Sequence, residues 1–224
     1  MNILYGVQAT GNGHICRSRE IVTSLRRLGA NVRVMFSGRT AQDLWGVEDF
    51  QPWEARKGLT FVTRSGKLRM LDTARALDLR RYWRDVNDLD LAGVDLAVTD
   101  FEPITARAAR RARIPLIGVG HQYAFHHSIP APRGEPLARL VLRHFAPCDV
   151  PLCLHWDAFG APILPPIVPA ALRAMQAYGG EHVLVYLPVE DRNEVLTFLG
   201  NLAPHPVQWF AGVEREETHG SIRI

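Results

Sequence analysis

The sequence predicts an α/β protein: a doubly wound parallel sheet in the N-terminal part of the chain, followed by an incomplete second α/β domain. Short apolar, β-branched segments alternate with segments whose apolar residues recur at helical spacing, which is the pattern of parallel sheets. The composition, with 47% hydrophobic and 22% charged residues, is that of an ordinary globular protein. A proline-rich stretch over residues 159–169 separates the two parts.

The first βαβ unit is the clearest part of the pattern. Residues 2–7 form an apolar, β-branched run that predicts a buried strand, and a glycine-rich turn follows over 8–13. Apolar residues at helical spacing predict a helix over 14–28, which Gly29 ends, and a second strand over 31–36. A connection of this kind is expected to be parallel and right-handed.

The alternation continues through the rest of the chain. Further strands of the first domain are predicted over residues 59–63, 94–99, 115–119 and 149–154. Helices are predicted over residues 72–88 with Asp72 as N-cap, 102–113 and 136–145. In the second domain, strands are predicted over 182–187 and 207–211, with a helix over 191–199 between them. We therefore predict a first domain at 1–157, a linker with a short helix at 158–180 and a partial second domain at 181–224.

The composition disfavours several classes of protein. No apolar run reaches the roughly 18 to 20 residues that span a bilayer, and the N-terminus lacks the features of a signal peptide. Three cysteines suit reduced thiols, so we expect a cytoplasmic location. The net charge is only +3 and acidic residues are interspersed throughout, which does not favour nucleic acid. The histidine and cysteine spacings match no metal site, so no metal is predicted.

An arginine-rich face is predicted on the helix over 102–113. Its residues are Arg107, Arg110, Arg111 and Arg113. A solvated helix face is the ordinary interpretation of such a cluster. Contact with anionic lipid headgroups is the alternative, and it would place the protein peripherally at the inner face of the membrane.

Polar and titratable residues follow the predicted strands at their carboxyl ends. In open parallel sheets, ligands bind beyond these ends, near the point where the strand order reverses. The residues found there are Thr10, Gly11, Asn12, Gly13, His14, Ser37, Gly38, Arg39, Asp100, Glu102, His121, Gln122 and His155. Packing alone does not require so many polar groups, so we predict a ligand site at this edge of the sheet.

The glycine-rich turn suggests how that site works. Gly11 and Gly13 permit positive φ and close backbone approach, so N–H groups at the helix start can face an anion or a sugar oxygen. His14 lies at the helix N-terminus, where the dipole disfavours the imidazolium, and is either a general base toward a hydroxyl or a helix cap. Asp100 either orients His14 or caps the helix that starts near Glu102.

Two other ligand classes can be tested on the same turn. A phosphate-binding P-loop is excluded because His14-Ile15 follows the last glycine, where Lys-Ser or Lys-Thr is needed. A dinucleotide turn needs a small residue three positions after Gly13, and Cys16 is tolerable there. The second strand leads into Arg39 rather than an acid, which suits NADP more than NAD. An NADP-binding oxidoreductase therefore stays an alternative.

The motifs at the strand ends resemble one family of proteins. The segment Tyr5-Gly6-Val7-Gln8-Ala9-Thr10-Gly11-Asn12-Gly13-His14-Ile15, followed by Arg17-Ser18-Arg19, is similar to the start of bacterial and archaeal GT-B glycosyltransferases. These are relatives of the transferase that adds N-acetylglucosamine to the lipid-linked peptidoglycan precursor. The segments 36–39, 99–103 and 121–122 resemble that family's other strand-end motifs, and the proline-rich linker resembles the hinge between its two domains.

The resemblance implies sugar transfer from a nucleotide-sugar donor to an acceptor hydroxyl, such as a lipid-linked or cell-envelope glycan, with no metal or cofactor required. It implies that His14 is either the base or a group near the sugar and that Asp100 is its partner in relatives that use a His-Asp dyad, and it adds Arg17 to the strand-end residues that would bind substrate. In such enzymes the donor-binding loop lies late in the second domain, so we expect a truncated donor site and doubtful activity. A non-catalytic acceptor-binding module is the second alternative, and the oligomeric state is left open.

Overall fold

The chain forms two compact units. The structure is a computed structural model that describes residues 1–60, 63–64, 67–68, 72–73, 75, 77–130, 136–177, 179–187, 190–211, 213 and 215–224. The first unit comprises Met1–Thr60 and Asp78–Ala174, and the second comprises Phe61–Leu77 and Met175–Ile224. The domain limits predicted above stay predictions. No helix in the described part of the chain is long and apolar enough to cross a membrane.

The first unit is built on a six-stranded sheet in which every pairing is parallel, as predicted. Its strands are β1 (Asn2–Gln8), β2 (Asn31–Ser37), β3 (Trp53–Arg56), β4 (Leu96–Asp100), β5 (Leu116–Gly120) and β6 (Val150–Cys153). They lie in the order β3-β2-β1-β4-β5-β6. The chain moves outward in one direction from β1 and in the other from β4, so the strand order reverses between these two neighbours.

Helices cover both faces of this sheet. They are α1 (Asn12–Arg27), α2 (Leu79–Asn87), α3 (Pro103–Ala112), α4 (His121–Ala124), α5 (Pro136–His144) and α6 (Ala170–Arg173). Because alternate residues of a strand point to opposite faces, Tyr5 and Val7 are buried with Val22 of α1. Leu4 is buried on the other side with Ile104 of α3. The core therefore lies in two layers that hold β1 at the centre.

Gly6 lets α3 approach β1 closely. A Cβ at this position would overlap the Thr105 hydroxyl and would lie 2.9 Å from Glu102 Oε2. The start of α3 therefore packs directly on the central strand. This contact fixes the position of the residues that connect β4 to α3, which belong to the site described below.

Two of the predicted elements of the first unit differ in the structure. The third strand is Trp53–Arg56, an edge strand, whereas Leu59 and Thr60 lie outside any strand and part of the predicted segment 59–63 lies outside the described residues. The helix predicted over 72–88 is interrupted: Asp72, Thr73 and Arg75 are helical, Leu77 and Asp78 are not, and α2 begins at Leu79. The N-cap of α2 is Asp78, which accepts a hydrogen bond from Arg81 N at 2.9 Å, whereas Asp72 is itself helical. An edge strand has one edge open to solvent, so it tolerates charged residues. In this strand they interrupt the apolar pattern from which a strand would be predicted.

The second unit has its own small sheet and core. Its elements are β7 (Val183–Tyr186), α7 (Arg192–Gly200), β8 (Val207–Phe210), β9 (Thr218–His219) and β10 (Ile222–Arg223), with the short antiparallel pair Thr63–Arg64 and Lys67–Leu68. The sheet order is β9-β10-β8-β7, and β7 and β8 are parallel, as the sequence predicts. Val195, Leu199, Trp209 and Ile222 are buried together.

Candidate active site

The turn between β1 and α1 places the start of a helix at the carboxyl edge of the sheet. α1 begins at Asn12, and its N-cap Gly11 is extended (φ −131°, ψ 143°). Glycine offers no side-chain acceptor to the first N–H groups of the helix. Thr10 and Gly13 are exposed. Arg39, after β2, donates hydrogen bonds to Thr10 O at 3.2 Å and to Asn12 Oδ1 at 3.3 Å, so two predicted site segments are in contact.

His14 in the first turn of α1 contacts Asp100, the last residue of β4. Their Nδ1 and Oδ1 atoms are 2.7 Å apart, although the residues are 86 positions apart in sequence. The Asp100 side chain is 0% exposed and that of His14 is 14% exposed, so the imidazole lies between a buried carboxylate and the surface. Because β1 and β4 are neighbours, their carboxyl ends bring the two residues together. The alternative in which Asp100 caps α3 is wrong, since Glu102 is the N-cap.

The hydrogen bonds around Asp100 assign the tautomer of His14. Asp100 Oδ2 accepts from Arg17 Nε at 2.6 Å and from Ser18 Oγ at 2.9 Å, and Arg17 Nη2 donates to Oδ1. An ionised carboxylate can only accept, so His14 Nδ1 must carry the hydrogen in its 2.7 Å bond. Arg17 Nη2 also lies 2.8 Å from His14 Nδ1. Both of these nitrogens donate to Asp100 Oδ1. In the neutral ring, Nε2 then keeps a lone pair that can accept a proton.

Charge pairing keeps Asp100 ionised. Burial by itself raises the pKa of Asp100, but the charges and hydrogen bonds of His14 and Arg17 outweigh burial and hold the pKa below its usual value. For Arg17, burial lowers the pKa and the carboxylate of Asp100 raises it, with a net rise. The charged forms of Asp100 and Arg17 therefore stabilise each other, and His14 is hydrogen-bonded to the same carboxylate.

The segment after β5 forms another wall beside His14. Gly120 has a φ of 152°, and a Cβ there would lie 3.1 Å from Gln122 Oε1 and 3.2 Å from Arg17 Nη2. The absence of a side chain at Gly120 allows both groups to approach the backbone. Gln122 Nε2 lies 3.4 Å from His14 Nε2, a long contact that a substrate hydroxyl could replace.

Two further histidines lie at the carboxyl ends of β5 and β6. The rings of His121 and His155 are 4.8 Å apart with an interplanar angle of 31°. His121 Nδ1 lies 3.2 Å from Leu154 O, to which it donates in the neutral ring. Burial lowers the pKa of His121, and the nearby His155 and Arg17 lower it further, which together outweigh the bond to Leu154 O that raises it. The structure thus places His121 and His155 together, as a stacked pair.

Ser37 and Glu102 are predicted to bind substrate, but the structure buries both side chains below the surface of the site. Both are 0% exposed, and Ser37 Oγ donates to Glu102 Oε1 at 2.8 Å. Glu102 also caps α3, because its carboxylate accepts from Ile104 N at 2.8 Å and from Thr105 N at 2.6 Å. Burial raises the pKa of Glu102. Direct contact with substrate is not available to these side chains because protein atoms cover and bond them.

A strained residue separates the two acids at the end of β4. Phe101 has a φ of 52°, which is uncommon for a bulky residue. Its ring is buried, 5.8 Å from the ring of Tyr123, and Glu102 N donates to Thr99 Oγ1 at 2.7 Å across the turn. This turn sends Asp100 toward His14 and Glu102 into the start of α3. Strain of this kind persists where the surrounding structure imposes it, often at functional sites.

Ser18 and Gly120 belong to the site but are absent from the residues predicted to form it. Ser18 follows His14 by four positions, so the two share a helix face, and this spacing was the available signal. Gly120 directly precedes His121 at a strand end, but only the approach of Arg17 shows why a glycine is needed there.

A comparison with known protein families identifies the class of this chain. The profile of the family described as Glycosyl transferase family 1 matches residues 1–223. The chain belongs to that family. The relationship predicted from the glycine turn is thereby confirmed at the family level, and the oxidoreductase and binding-module alternatives are not favoured. No curated protein sequence matches the chain.

Solved structures show the fold of this family member. LpCGTa, solved with UDP, has a TM-score of 0.52 at 11% identity, and the match covers 93% of this chain and 65% of LpCGTa. VinC, a glycosyltransferase solved with dTDP, has a TM-score of 0.50 at 17% identity, covering 100% of this chain and 71% of VinC. MurG of Acinetobacter baumannii has a TM-score of 0.48 at 15% identity, with 94% of this chain and 59% of MurG covered. The predicted GT-B fold is confirmed, and the chain spans about three fifths of the length of MurG.

Over the described ranges of this family member, no group of three or more His, Cys, Asp or Glu side chains is placed to hold a metal ion. The expectation that neither metal nor cofactor is required stays a prediction.

Proposed function

We propose that this chain transfers a sugar from a nucleoside diphosphate sugar to an acceptor hydroxyl, with His14 as general base. The observation that carries the proposal is the bond between His14 Nδ1 and the buried carboxylate of Asp100, located where the strand order reverses. This bond leaves the lone pair of Nε2 on the side of the ring away from Asp100. A base in that position needs only an acceptor hydroxyl within hydrogen-bond reach.

The proposed reaction is a single displacement. The acceptor hydroxyl gives its proton to His14 Nε2 while its oxygen forms a bond to the anomeric carbon of the donor sugar. The bond from that carbon to the diphosphate breaks, and the nucleoside diphosphate leaves with the electron pair. Asp100 stabilises the imidazolium that forms, and Arg17 keeps Asp100 ionised throughout.

UDP-sugars and dTDP-sugars are the donors to test first. LpCGTa was solved with UDP and VinC with dTDP, and both share the fold of this chain. For the acceptor we propose a glycan or a lipid-linked hydroxyl compound, without a required metal or other cofactor.

The experiment measures release of UDP or dTDP from a panel of donors by the 224-residue chain with candidate acceptors. We expect His14→Ala to lower turnover by about 10²- to 10⁴-fold, the usual contribution of a general base. His205→Ala, at an exposed histidine of the second unit, is the matched control and should retain activity. Undiminished turnover in His14→Ala would exclude His14 as the base. If no donor is turned over and calorimetry detects no binding of UDP or dTDP, the non-catalytic acceptor-binding alternative is favoured.

We also propose a cytoplasmic location with peripheral contact to an anionic membrane. Arg110, Arg111 and Arg113 are exposed at the end of α3, and Cys16, Cys148 and Cys153 are free thiols. Co-sedimentation with phosphatidylglycerol vesicles, but not with phosphatidylcholine vesicles, is the expected result. Equal sedimentation with both, or with neither, would contradict the membrane contact.

A further inference from the structure

We propose that this chain holds its acceptor by an anionic group, phosphate or carboxylate, attached to a ring. The proposed location is a cavity of about 570 Å³ in the first unit, lined in part by Arg39, Lys57, Asp43, Thr40 and Trp45. We call it the Arg39 cavity. Its volume is within the usual range for small-molecule sites, about 300–1,000 Å³. That its ligand is the acceptor rests on the proposed sugar transfer, whereas the anion site itself does not.

The charges of the Arg39 cavity favour an anion. Among the described residues, the acceptors of Arg39 are uncharged: Thr10 O and Asn12 Oδ1. Within the described part of the chain, neither Arg39 nor Lys57 forms an ion pair. Among the described residues of the lining, Asp43 is the one acid, and its Oδ2 accepts from Thr40 Oγ1 at 2.6 Å. The described lining therefore holds two cations and one carboxylate, and an Arg fork together with a Lys suits a phosphate or carboxylate.

Each of the two cations is next in sequence to a glycine whose backbone is in the left-handed region of φ/ψ space. Gly38 has a φ of 96°, and a Cβ there would lie 2.8 Å from Thr10 Cγ2. Gly58 has a φ of 61°, and a Cβ there would lie 2.6 Å from Ser37 Cβ. The two segments therefore pack tightly, and Gly38 N donates to Lys57 O at 3.0 Å. Arg39 and Lys57 are thus carried on adjoining segments whose spacing is set before any ligand binds.

Trp45 supplies a flat surface next to these charges. Its side chain is 64% exposed, although the flanking Leu44 and Val47 are buried and anchor the segment. An exposed indole in a cavity is suited to stacking against a ring, either aromatic or sugar. Asp43 and Thr40 add polar groups that can bond hydroxyl groups on such a ring.

The Arg39 cavity adjoins the glycine turn. Arg39 contacts Thr10 and Asn12, which directly precede the His14 turn of α1. An anion bound to Arg39 would therefore hold the attached ring near the start of α1. This position would place a hydroxyl of the acceptor within reach of the proposed base, and it makes an anionic ring compound the acceptor class to test.

The test is calorimetry on the 224-residue chain without donor, at constant ionic strength, with three probes. Phenyl phosphate carries a ring and an anion, inorganic phosphate the anion alone, and phenyl β-glucoside an uncharged ring compound. We expect phenyl phosphate to bind most tightly. Arg39→Gln and Lys57→Gln should each weaken its binding about tenfold, the order expected for one charge-assisted hydrogen bond. Trp45→Ala should weaken phenyl phosphate but leave inorganic phosphate unchanged.

Arg27→Gln is the matched control, because Arg27 is an exposed arginine at the opposite end of α1. Arg39→Gln could weaken binding by removing the hydrogen bonds of Arg39 to the glycine turn, so Lys57→Gln provides a second test of the cationic charge. Circular dichroism checks the folding of each variant. Equal affinity for phenyl β-glucoside and phenyl phosphate, no binding of phenyl phosphate at 10 mM (about the weakest affinity of interest), or unchanged affinity in both cation variants would overturn the proposal. The probes are measured without donor, so failure of sugar transfer would leave the binding of phenyl phosphate unaffected. Conversely, a chain that transfers sugar but does not bind phenyl phosphate would refute the anion site and leave the proposed sugar transfer standing.

Discussion

Replacing Asp100 with asparagine tests how the site is held together. The carboxylate is fully buried and accepts hydrogen bonds from His14, Arg17 and Ser18. Asparagine keeps the shape of the side chain but replaces one accepting oxygen with an NH₂ group. This group is a donor and would face the donors that now bond to the carboxylate. It also removes the charge opposite the Arg17 guanidinium, whose side chain is only 15% exposed.

The expected cost is large because Arg17 remains buried without its counter-charge. Removing one partner of a buried ion pair costs about 3–5 kcal/mol, a large share of a domain stability of about 5–15 kcal/mol. The pH dependence has a definite sign. Since the folded-state pKa of Asp100 is lowered, its stabilisation is present above the unfolded-state pKa of about 4 and is lost as the pH falls below it. The Asp100→Asn variant should lack this part of the acid dependence.

Urea unfolding followed by circular dichroism at pH 7 and at pH 3 measures both effects. Asp90→Asn is the control, because Asp90 pairs with Arg33 at 3.3 Å on the surface. Exposed pairs of this kind contribute about 0–1 kcal/mol. If Asp100→Asn costs no more than Asp90→Asn, the reasoning is wrong. Combining Asp100→Asn with Arg17→Gln should cost less than the sum of the single changes, since the double variant leaves no unpaired charge.

Three further predictions concern packing, capping and titration. Gly6→Ala should destabilise the first unit by about 1–3 kcal/mol in urea unfolding, because the new methyl group overlaps the Thr105 hydroxyl. Asp191→Ala should destabilise the second unit by about 1 kcal/mol, seen in the fluorescence of buried Trp209, because α7 loses its N-cap. Since burial lowers the pKa of His121, the wild type should lose stability as the pH falls below about 6.5, and His121→Asn should lose less between pH 7.5 and 5.5.

Each of these predictions has a control in the same chain. Gly13→Ala should cost little, because no atom lies within 4 Å of a Cβ at that position. Asp191→Ser should retain most of the lost stability, since serine also caps helices. His205→Asn, at an exposed histidine, is the control for the loss of one histidine side chain. Equal costs at Gly6 and Gly13, no change in Asp191→Ala, or identical pH curves for His121→Asn and the wild type would contradict the respective argument.

Local patterns in the sequence were sufficient for much of the fold. The strand, glycine turn, helix and second strand of residues 2–36 are found within a residue or two of their predicted limits, because each element carries its own periodicity. The edge strand Trp53–Arg56 was missed because it contains Glu54 and Arg56 and its pairing with β2, rather than its own pattern, makes it a strand. Asp78 rather than Asp72 caps α2, because helical spacing alone does not show the break at Leu77 and Asp78 that separates the helical residues Asp72 and Thr73 from α2.

Local sequence patterns are enough to locate the residues at the strand ends: the glycine turn, His14, Asp100, Arg39 and the pair at 121–122. These patterns do not show which of the residues are in contact. The order β3-β2-β1-β4-β5-β6 makes β4 the neighbour of β1 and so brings Asp100 to His14, Arg17 and Ser18. The same packing buries Ser37 and Glu102 beneath the site. Strand order and burial depend on contacts between distant segments, and no local periodicity records those contacts.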